Sequence, residues 1–586
     1  MSYDILFQRA LSLHQAGQFD DAEQLYRQIL ETAPDQPDVL NLLGLIAQAK
    51  DLHLQAAELF YRAVRNAPEH APFYFNLGIS LKALNKPHEA MEAFQKVLQL
   101  QPDLKEAENE RGSVLMMLHE PEKAREAYRR ALQQDENYAP AHLNLALSYL
   151  PDNPQKVRDS LENLSRRFPD EAAVWFELAR QYYEVGRDGE AWQAAVKAKE
   201  LAPASDEAKA LLGLLCLKEH QDDKAAIYFE KALLLNPKNT QAMVNLANIR
   251  SNVGRFDQAE ALYKRVLELE PRNFDACFNY AHMLYRAKRL PEALETYRSA
   301  VILNPKSAEV SNNLGIIMKD QQDYEEALGL FFNAMALDPD LEAAMVNAAE
   351  TLVLYFEGGH EKEAVQIAEN WKRQMPSNPF ACHVCCALKG ENCEDNLEYS
   401  KRLFDNFADH YEPVMQNLDY NLPGTLATII GDAEAAIVDL GCGSGLLGEA
   451  LKEKGKELVG VDLSAKMLAL AEKKKVYKKL VLSDAVSFMK SRPKADLVVM
   501  ADVLGYIGDL GELFALLKGY KVLFSVEALQ DNDQNFVLNA GGRYQHSEKY
   551  IRNLLENNGF RDIIIQKAVF RKEKGKDVPG LIVSGE

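Results

Sequence analysis

The chain has 586 residues, of which 47% are hydrophobic and 26% charged, a composition typical of folded globular domains. With 67 Lys and Arg against 87 Asp and Glu, its formal net charge is −20. Nearly all of this negative charge lies in the first 400 residues, because residues 401–586 hold 25 basic and 26 acidic side chains. Such a field repels a phosphate backbone, so we expect no nucleic-acid substrate.

Membrane and secretory signals are not apparent in the sequence. No run of about eighteen apolar residues occurs, and the amino-terminal segment resembles a repeat helix rather than a basic and then apolar leader. Seven cysteines, an odd number in a long chain, fit reduced thiols better than a disulfide framework. We therefore expect a soluble, cytoplasmic protein that does not associate with a membrane.

The first two thirds of the chain repeat with a period of 34 residues. A small residue recurs at repeat position 8 with this spacing in all steps but one, as Ala10, Gly44, Gly78, Gly112, Ala146, Ala179, Gly213, Ala247, Ala281, Gly315 and Ala349. A large residue such as Phe60 or Tyr263 follows in most units, and a proline stands near the end of most units. Small residues let two antiparallel helices approach, large ones fill the remaining gap, and proline ends the second helix.

This pattern resembles the tetratricopeptide family. The resemblance implies about eleven helix pairs within residues 1–379, with one residue deleted in the fifth unit (139–170) and a short insertion near Gly358 in the eleventh. Each unit buries its apolar face only against its neighbours, so we predict an all-α solenoid. Such arrays present a concave surface to a peptide or another protein, which predicts a protein partner.

Asparagine recurs at repeat position 6, as Asn76, Asn144, Asn245, Asn279, Asn313 and Asn347. An amide on the inner face can donate to a peptide carbonyl and accept from a peptide N–H, so these residues are candidates for binding a main chain of any sequence. The array of O-linked N-acetylglucosamine transferases looks similar in this respect. In the alternative interpretation, asparagine before Leu-Gly or Leu-Ala packs neighbouring helices.

Cysteines cluster after the last repeat, as Cys382, Cys385, Cys386 and Cys393, with His383 among them. A zinc site needs convergent thiolates, and cysteines three or four residues apart share a helix face. However, the run 380–388 is apolar and fits the first helix of a capping unit, in which cysteine is a small buried side chain. We therefore predict no metal site, and we assign 380–400 to a capping helix and a linker. Residues 392–397 are predicted to be either a rigid continuation of the solenoid or a hinge.

A glycine-rich turn follows the apolar run 435–440, in the sequence Asp439-Leu-Gly-Cys-Gly-Ser-Gly445. Glycines let backbone N–H groups approach a ligand, and the helix predicted after Gly445 offers its positive dipole end. The next strand ends in Asp462, about twenty residues on, where a carboxylate can bind two ribose hydroxyls. A third strand ends before Asp484, which can accept a hydrogen bond from an adenine amino group. Three strand ends therefore line one ligand.

This spacing resembles the class I S-adenosylmethionine-dependent methyltransferases over roughly residues 402–586. The resemblance implies S-adenosylmethionine as the cofactor, with the glycine turn beneath its methionine part. The predicted cofactor contacts are Asp439, Gly441, Gly443, Gly445, Asp462, Asp484 and Ala485. In addition, the segment 403–411 resembles the helix that folds over the cofactor in many small-molecule methyltransferases, with Tyr411 as its lid residue.

Further apolar strands are predicted at 495–500 and 520–526, with helices between them. Two apolar runs near the end, 563–565 and 581–583, flank a charged turn and predict a final hairpin. An antiparallel last strand is a feature of class I methyltransferases that dehydrogenases usually lack. We therefore predict that residues 401–586 form an α/β, Rossmann-like domain with a seven-stranded sheet whose last strand is antiparallel.

Methyl transfer from a sulfonium mainly requires in-line alignment, with a base when the nucleophile carries a proton. Open sheets bind a second ligand beyond the carboxyl ends of their strands, which makes Asp502, Tyr506 and His546 the catalytic candidates. His546 is the preferred base because histidine titrates near neutrality, although a histidine just before a helix is equally often structural. No Asn-Pro-Pro-Tyr sequence follows the fourth strand, which slightly favours O-methylation.

The sequence thus predicts a multidomain S-adenosylmethionine-dependent methyltransferase whose acidic repeat array recruits a protein or peptide partner. The alternative is a non-catalytic adaptor with a cofactor-sensing or inactive methyltransferase-like domain. The intact glycine turn and the two strand-end acids, Asp462 and Asp484, favour the enzyme.

Overall fold

A computed structural model describes residues 3–150, 152–393, 397–431, 435–452, 457–530, 534–573 and 576–586. The chain divides into two compact units, Met1–Glu270 and Pro271–Glu586. The second unit holds the last repeat helices together with the sheet, whereas the sequence predicted a division between residues 379 and 401. The predicted linker falls partly on residues 394–396, outside the described residues. Among the residues described, no helix has the length and apolar character needed to cross a bilayer.

The first unit is helical throughout its described residues, as the repeat pattern predicts. Its helices are α1 (Tyr3–Gln15), α2 (Phe19–Thr32), α3 (Pro37–Ala49), α4 (His53–Asn66), α5 (Ala71–Ala83), α6 (Pro87–Leu100), α7 (Lys105–Met117), α8 (Pro121–Gln134), α9 (Ala139–Leu147), α10 (Pro154–Arg167), α11 (Ala172–Glu184), α12 (Asp188–Leu201), α13 (Asp206–Lys218), α14 (Asp222–Leu235), α15 (Thr240–Asn252) and α16 (Phe256–Leu269). Helix α9 is the short member, and it lies in the unit that lacks one residue.

Close packing within a helix pair depends on the small residue at position 8. A Cβ atom added to Gly44 would lie 2.5 Å from the ring of Phe60, and one added to Gly213 would lie 2.7 Å from the ring of Phe229. Both rings are fully buried. The prediction that a small residue lets the two helices approach and a large residue fills the gap is confirmed, and the large residue stands sixteen positions after the small one.

The second unit begins with further repeat helices and continues into the α/β domain. Its helices are α17 (Phe274–Arg286), α18 (Leu290–Leu303), α19 (Ala308–Asp320), α20 (Tyr324–Leu337), α21 (Glu342–Glu357), α22 (Glu361–Gln374), α23 (Pro379–Lys389), α24 (Leu397–Phe407), α25 (Tyr411–Asn417), α26 (Leu422–Ile430), α27 (Leu446–Leu451), α28 (Ala465–Lys474), α29 (Ala485–Lys490), α30 (Gly511–Leu517) and α31 (Glu548–Asn557). Its strands are β1 (Ala436–Leu440), β2 (Glu457–Asp462), β3 (Lys479–Leu482), β4 (Leu497–Met500), β5 (Lys521–Ala528), β6 (Phe536–Leu538), β7 (Tyr544–His546), β8 (Ile564–Glu573) and β9 (Lys576–Gly585).

The sheet follows the predicted α/β pattern. Strands β3, β2, β1, β4 and β5 lie side by side in that order and run parallel. Strand β9 pairs antiparallel with β5 and then with β8, which confirms the antiparallel last strand and the final hairpin. Apolar clusters cover both faces of the parallel strands, which explains why these strands are almost continuously apolar in sequence.

The described sheet has nine strands, two more than predicted. The additional strands β6 and β7 form an antiparallel hairpin, and β7 pairs in parallel with the end of β5. Each has only three residues, which is too short for the alternation that marks a strand in sequence. This short hairpin contains Arg543, Tyr544 and His546 and therefore decides where these three side chains lie.

Candidate active site

A cavity of about 800 Å³, partly open to solvent, lies where β1, β2, β3 and β4 end. This is the edge at which open α/β sheets bind ligands. The lining includes eight of the predicted site residues, namely Tyr411, Gly441, Gly443, Asp462, Asp484, Ala485, Asp502 and Tyr506. Side chains that are up to about 95 positions apart in sequence thus converge on one cavity.

The glycine turn has the backbone shape that the motif predicts. Gly441, Gly443 and Gly445 have φ angles of 74°, 53° and 89°, a left-handed region that residues with a side chain rarely adopt. A Cβ atom on Gly441 would lie 2.2 Å from Cγ2 of Val503, whereas one on Gly443 would meet no atom within 4 Å. The space beside Gly443 therefore belongs to the cavity.

Asp462 lies at the end of β2, with its carboxylate held by backbone groups. The N–H of Gly443 and the N–H of Ser464 each donate a hydrogen bond of 2.8 Å to it, one to each oxygen. Burial raises the pKa of Asp462 above its ordinary value, while these backbone donors act in the opposite direction. Each carboxylate oxygen keeps a lone pair, so this side chain can accept hydrogen bonds from two hydroxyls of a ligand.

Asp484 and Ala485 stand at the end of β3 and at the first turn of α29. The Asp484 side chain caps this helix by accepting a hydrogen bond of 2.8 Å from the N–H of Ser487. Since Asp484 also lines the cavity, its second carboxylate oxygen is available to a donor such as an exocyclic amine.

Asp439 and Gly445, which the sequence also predicts as cofactor contacts, lie behind the turn and are absent from the cavity lining. Burial raises the pKa of Asp439 to about 7. Tyr477 donates a hydrogen bond of 2.7 Å to Oδ2 of Asp439, and Oδ1 has no hydrogen-bond partner among the described residues. A Cβ on Gly445 would lie 3.3 Å from Cα of Ala471, so this glycine lets the turn pack against α28.

Helix α24 and the turn after it line one side of the cavity, and the predicted lid segment belongs to this part of the chain. Phe404 and Tyr411 both line the cavity, and the Phe404 ring meets the Tyr506 ring edge-on at 5.1 Å. Asp405 accepts a hydrogen bond of 2.6 Å from the hydroxyl of Ser464, which ties α24 to the start of α28. Burial raises the pKa of Tyr411, so its hydroxyl stays protonated at neutral pH.

Asp502 and Tyr506 follow β4, where the sequence placed catalytic candidates. One Asp502 oxygen pairs with Arg543 and the other lies 3.3 Å from Nη1 of Arg571. The Tyr506 hydroxyl accepts a hydrogen bond of 2.6 Å from Arg543. Burial raises the pKa of Tyr506. Both oxygens of the Asp502 carboxylate are therefore already engaged by arginines.

His546 does not occupy the position expected of a general base. It is fully buried in β7, its Nε2 donates a hydrogen bond of 3.0 Å to the carbonyl of Gly508, and the cavity lining does not include it. Burial lowers the pKa of His546 to about 4. The geometry supports the structural alternative for this residue, because the short hairpin turns its ring into the core.

Arg571 and Glu527 do not line the cavity, but they pair with Asp502 and Arg543 beside it, and they were not identified from the sequence. Arg571 on β8 donates a hydrogen bond of 2.6 Å to Glu527 on β5, and both side chains are almost completely buried. Arg543 also pairs with Glu527, so two arginines and two carboxylates form one buried network. Glu527 could have been noticed in the sequence, because it is a charged residue near the end of a largely apolar strand and buried charges require partners.

The six asparagines proposed for peptide binding are all half-buried. Three of them donate a hydrogen bond of 2.9 Å to an asparagine of the preceding unit, in the pairs Asn76–Asn41, Asn144–Asn109 and Asn347–Asn312. Asn313 donates to the hydroxyl of Tyr297, and Asn245 donates to the carbonyl of Gln241 in its own helix, while Asn279 lies on α17. For the three paired amides the contacts favour the helix-packing interpretation.

Helix α23 carries three of the clustered cysteines. Cys385 and Cys386 are buried, and burial raises the pKa of Cys385, as for a small core side chain. Nε2 of His383 bonds to the carbonyl of Gly542 at 2.9 Å. Over the ranges that the structure describes, no group of three or more His, Cys, Asp and Glu side chains is arranged to hold a metal.

Comparison with known families agrees with this architecture. A family model described as "Methyltransferase domain" matches residues 411–564. Models described as "Tetratricopeptide repeat" match residues 7–71, 71–104, 206–239, 244–308 and 292–342.

Three curated relatives are methyltransferases by name. An 18S rRNA (guanine-N(7))-methyltransferase of Arabidopsis thaliana is 48% identical over 48 residues, which are 8% of this chain and 17% of that protein. An uncharacterized methyltransferase of Geobacillus sp. is 25% identical over 29% of this chain and 92% of its own length. A malonyl-(acyl-carrier protein) O-methyltransferase of Priestia megaterium is 36% identical over 14% of this chain and 31% of its own length. Two of the three matches thus span less than a third of the relative.

Proposed function

We propose that this chain, in which tetratricopeptide repeats precede a methyltransferase domain, transfers a methyl group from S-adenosylmethionine to an acceptor recruited through the repeats. The observation that carries the proposal is the convergence of Gly443, Asp462 and Asp484 on one cavity at the carboxyl edge of the sheet. These residues come from three separate strand ends, and each supplies a group that suits a different part of a nucleoside ligand.

The residues present fit this cofactor. Asp462 would hold the ribose hydroxyls, and Asp484 would accept from the adenine amine. The backbone of the glycine turn would lie beneath the methionine part, since the space beside Gly443 is open. When bound, S-adenosylmethionine supplies a methyl group that its sulfonium makes electrophilic. The protein's task is then to orient the acceptor, exclude water and, where required, remove a proton.

The ionisable residues of the cavity favour an acceptor that is already deprotonated. Among the described lining residues, Tyr411 and Tyr506 have pKa values raised by burial. Asp502 is held by two arginines, and the two remaining acids suit the cofactor. Among the described lining residues we therefore assign no general base. A carboxylate needs no such base, so we favour O-methylation of a carboxyl group. The relative named as a malonyl-(acyl-carrier protein) O-methyltransferase is consistent with this choice.

The repeats support a protein or peptide as the carrier of the acceptor. Tetratricopeptide repeats generally mediate contacts between proteins, and the first 400 residues carry a formal charge of −19. The negative charge of the repeats would attract a partner with a basic surface, mainly by making the encounter faster and more specific.

Calorimetry on the full chain tests the cofactor site. We expect S-adenosylmethionine and its demethylated product, S-adenosylhomocysteine, to bind the wild-type protein. The Asp462→Ala variant should lose at least about a hundredfold in affinity, because two charge-assisted hydrogen bonds are removed. Asp577→Ala, an exposed acid on the final hairpin, serves as the matched control and should bind normally. Equal affinity in the two variants would contradict the assignment of Asp462.

The transfer reaction is tested with a cell extract and cofactor labelled on its methyl group. We expect label on proteins that the repeat array retains, and its release as methanol under mild alkali, because carboxyl methyl esters hydrolyse easily. Label that withstands alkali would point to nitrogen or carbon as the acceptor. No incorporation, together with normal partner capture, would favour the adaptor.

A further inference from the structure

The helix that follows the last repeat contacts the hairpin that is additional to the predicted sheet. His383 on α23 bonds to the carbonyl of Gly542 at 2.9 Å, and its ring stacks on Tyr399 of α24 at 3.7 Å between centroids. Gly542 has a φ angle of 81° and lies so near that a Cβ on it would be 3.2 Å from Nε2 of His383. The turn of the hairpin is therefore shaped to fit against this histidine.

Apolar packing reinforces the same contact. Cys386 and Ala387 of α23 form a buried cluster with Leu538 of β6 and Tyr544 of β7. The Tyr544 hydroxyl accepts a hydrogen bond of 3.1 Å from the backbone N–H of Cys393, beyond the end of α23. An isolated hairpin with three-residue strands has little stability of its own. Its position consequently depends on α23 as well as on the edge of β5.

The residue after Gly542 is Arg543, which reaches the cavity wall. Its guanidinium pairs with Asp502, donates to the hydroxyl of Tyr506 and pairs with Glu527. It also lies against the backbone of Gly505, where a Cβ would come within 2.9 Å of Nη2. A guanidinium holds several partners in one fixed geometry, so a shift of the hairpin would move Asp502 and Tyr506.

We propose that His383 is a positioning residue for the acceptor side of the cavity, which is the part of the wall formed by Asp502 and Tyr506. The bond from His383 to Gly542 fixes the position of the next residue, Arg543. The guanidinium of Arg543 in turn orders Tyr506 and Asp502. This inference rests on the proposed function, in which these two residues border the space left for the acceptor. The cofactor contacts, Gly443, Asp462 and Asp484, lie on other strand ends and do not depend on the hairpin. The helix that follows the repeats thus completes the methyltransferase site.

Hydrogen exchange on the full-length protein, saturated with S-adenosylhomocysteine, tests the proposal. His383→Ala should raise the amide exchange rates of segments 502–508 and 540–546 about fivefold or more, as expected for the loss of a hydrogen bond and a ring contact. His383→Gln keeps an N–H donor and should return the rates to within about twofold of wild type. His360→Ala is the matched control, because His360 also stacks on a tyrosine, Tyr355, in the same compact unit. We expect it to leave both segments unchanged.

Two further measurements separate positioning from general unfolding. S-adenosylhomocysteine affinity should stay within about threefold in His383→Ala, while the labelling rate in the extract assay should fall about tenfold and recover in His383→Gln. Arg543→Lys retains the positive charge but cannot keep all three contacts, so it should raise exchange in 502–508 even if His383→Ala fails to fold. Unchanged exchange at 502–508 in both variants, or equal loss of cofactor affinity and labelling rate, would overturn the proposal. If Asp462→Ala also bound cofactor normally, the proposed function itself would fail, independently of these exchange rates.

Discussion

The backbone N–H of Gly443 donates a hydrogen bond of 2.8 Å to the carboxylate of Asp462, nineteen residues further along the chain. This bond joins the turn after β1 to the end of β2, so the two parts of the proposed cofactor site have one fixed geometry. Because Gly443 contributes its amide rather than a side chain, replacing it tests the ligand space without removing the bond.

Gly443→Ala should impair cofactor binding more than folding. A Cβ at this position meets no protein atom within 4 Å, so the cost to folding is confined to the left-handed backbone, about 1–2 kcal/mol. The new methyl group would occupy the cavity beside the turn. We expect S-adenosylhomocysteine affinity, measured by calorimetry, to fall at least about tenfold while the unfolding temperature drops by only a few degrees.

Gly441→Ala should impair folding more than cofactor binding, and it serves as the comparison. Its Cβ would lie 2.2 Å from Cγ2 of Val503, so the turn or Val503 must move in addition to the backbone strain. We expect a loss of about 3 kcal/mol in the free energy of unfolding, seen as a clearly lower unfolding temperature. A Gly443→Ala protein as unstable as Gly441→Ala would contradict the view that the space beside Gly443 is empty.

The protonation of His546 should affect the stability of the protein in acid rather than the rate of methyl transfer. Burial lowers its pKa to about 4, below the ordinary value near 6.5, so the unfolded chain binds the proton first as the pH falls. The contribution of neutral, buried His546 to the free energy of unfolding is therefore complete above about pH 6.5 and is lost progressively as the pH falls towards 4. We expect the unfolding temperature of the wild type to fall more between pH 7.5 and pH 5 than that of His546→Gln. The labelling rate of a folded His546→Gln protein should stay within about threefold; a loss of a hundredfold or more would restore His546 as the base.

Asp439 should have the opposite pH dependence. Burial raises its pKa to about 7 from an ordinary value near 4, so the folded state holds a proton that the unfolded state releases. The folded state is therefore favoured below about pH 4 and loses this advantage as the pH rises to 7. Asp439→Asn removes the titration and can still accept from Tyr477. We expect its unfolding temperature relative to wild type to be higher at pH 8 than at pH 5, and an equal difference at both would contradict burial as the cause.

The asparagines of the repeats should separate into two groups. Asn144→Ala leaves the buried oxygen of Asn109 without its donor, so we expect a loss of about 1–3 kcal/mol in the stability of the array, measured by denaturant unfolding. Asn245 bonds within its own helix and is half-buried, so Asn245→Ala should change stability little. If Asn245→Ala leaves partner capture intact as well, the peptide-binding role of this residue is wrong.

Local patterns in the sequence were sufficient for the repeats and for most residues of the proposed cofactor site. The residue at position 8 packs against a ring sixteen residues later because both residues lie within one helix pair. The contact between Gly44 and Phe60 is an example. Gly443, Asp462 and Asp484 could be placed together because parallel strands carry their carboxyl ends to one edge of the sheet. Their positions then follow from strand order alone.

Only the tertiary structure decided the acceptor side. Arg543, Arg571 and Glu527 meet because a three-residue hairpin and the antiparallel strand β8 bring them to the end of β5, and neither pairing has a sequence period. The same hairpin buries His546, which sequence alone would make the base. The contact of His383 with Gly542 joins residues 159 positions apart. Burial that recurs with a fixed period can be predicted from the sequence. The pairing of charged residues far apart in the chain depends on tertiary packing, which has no such periodic pattern.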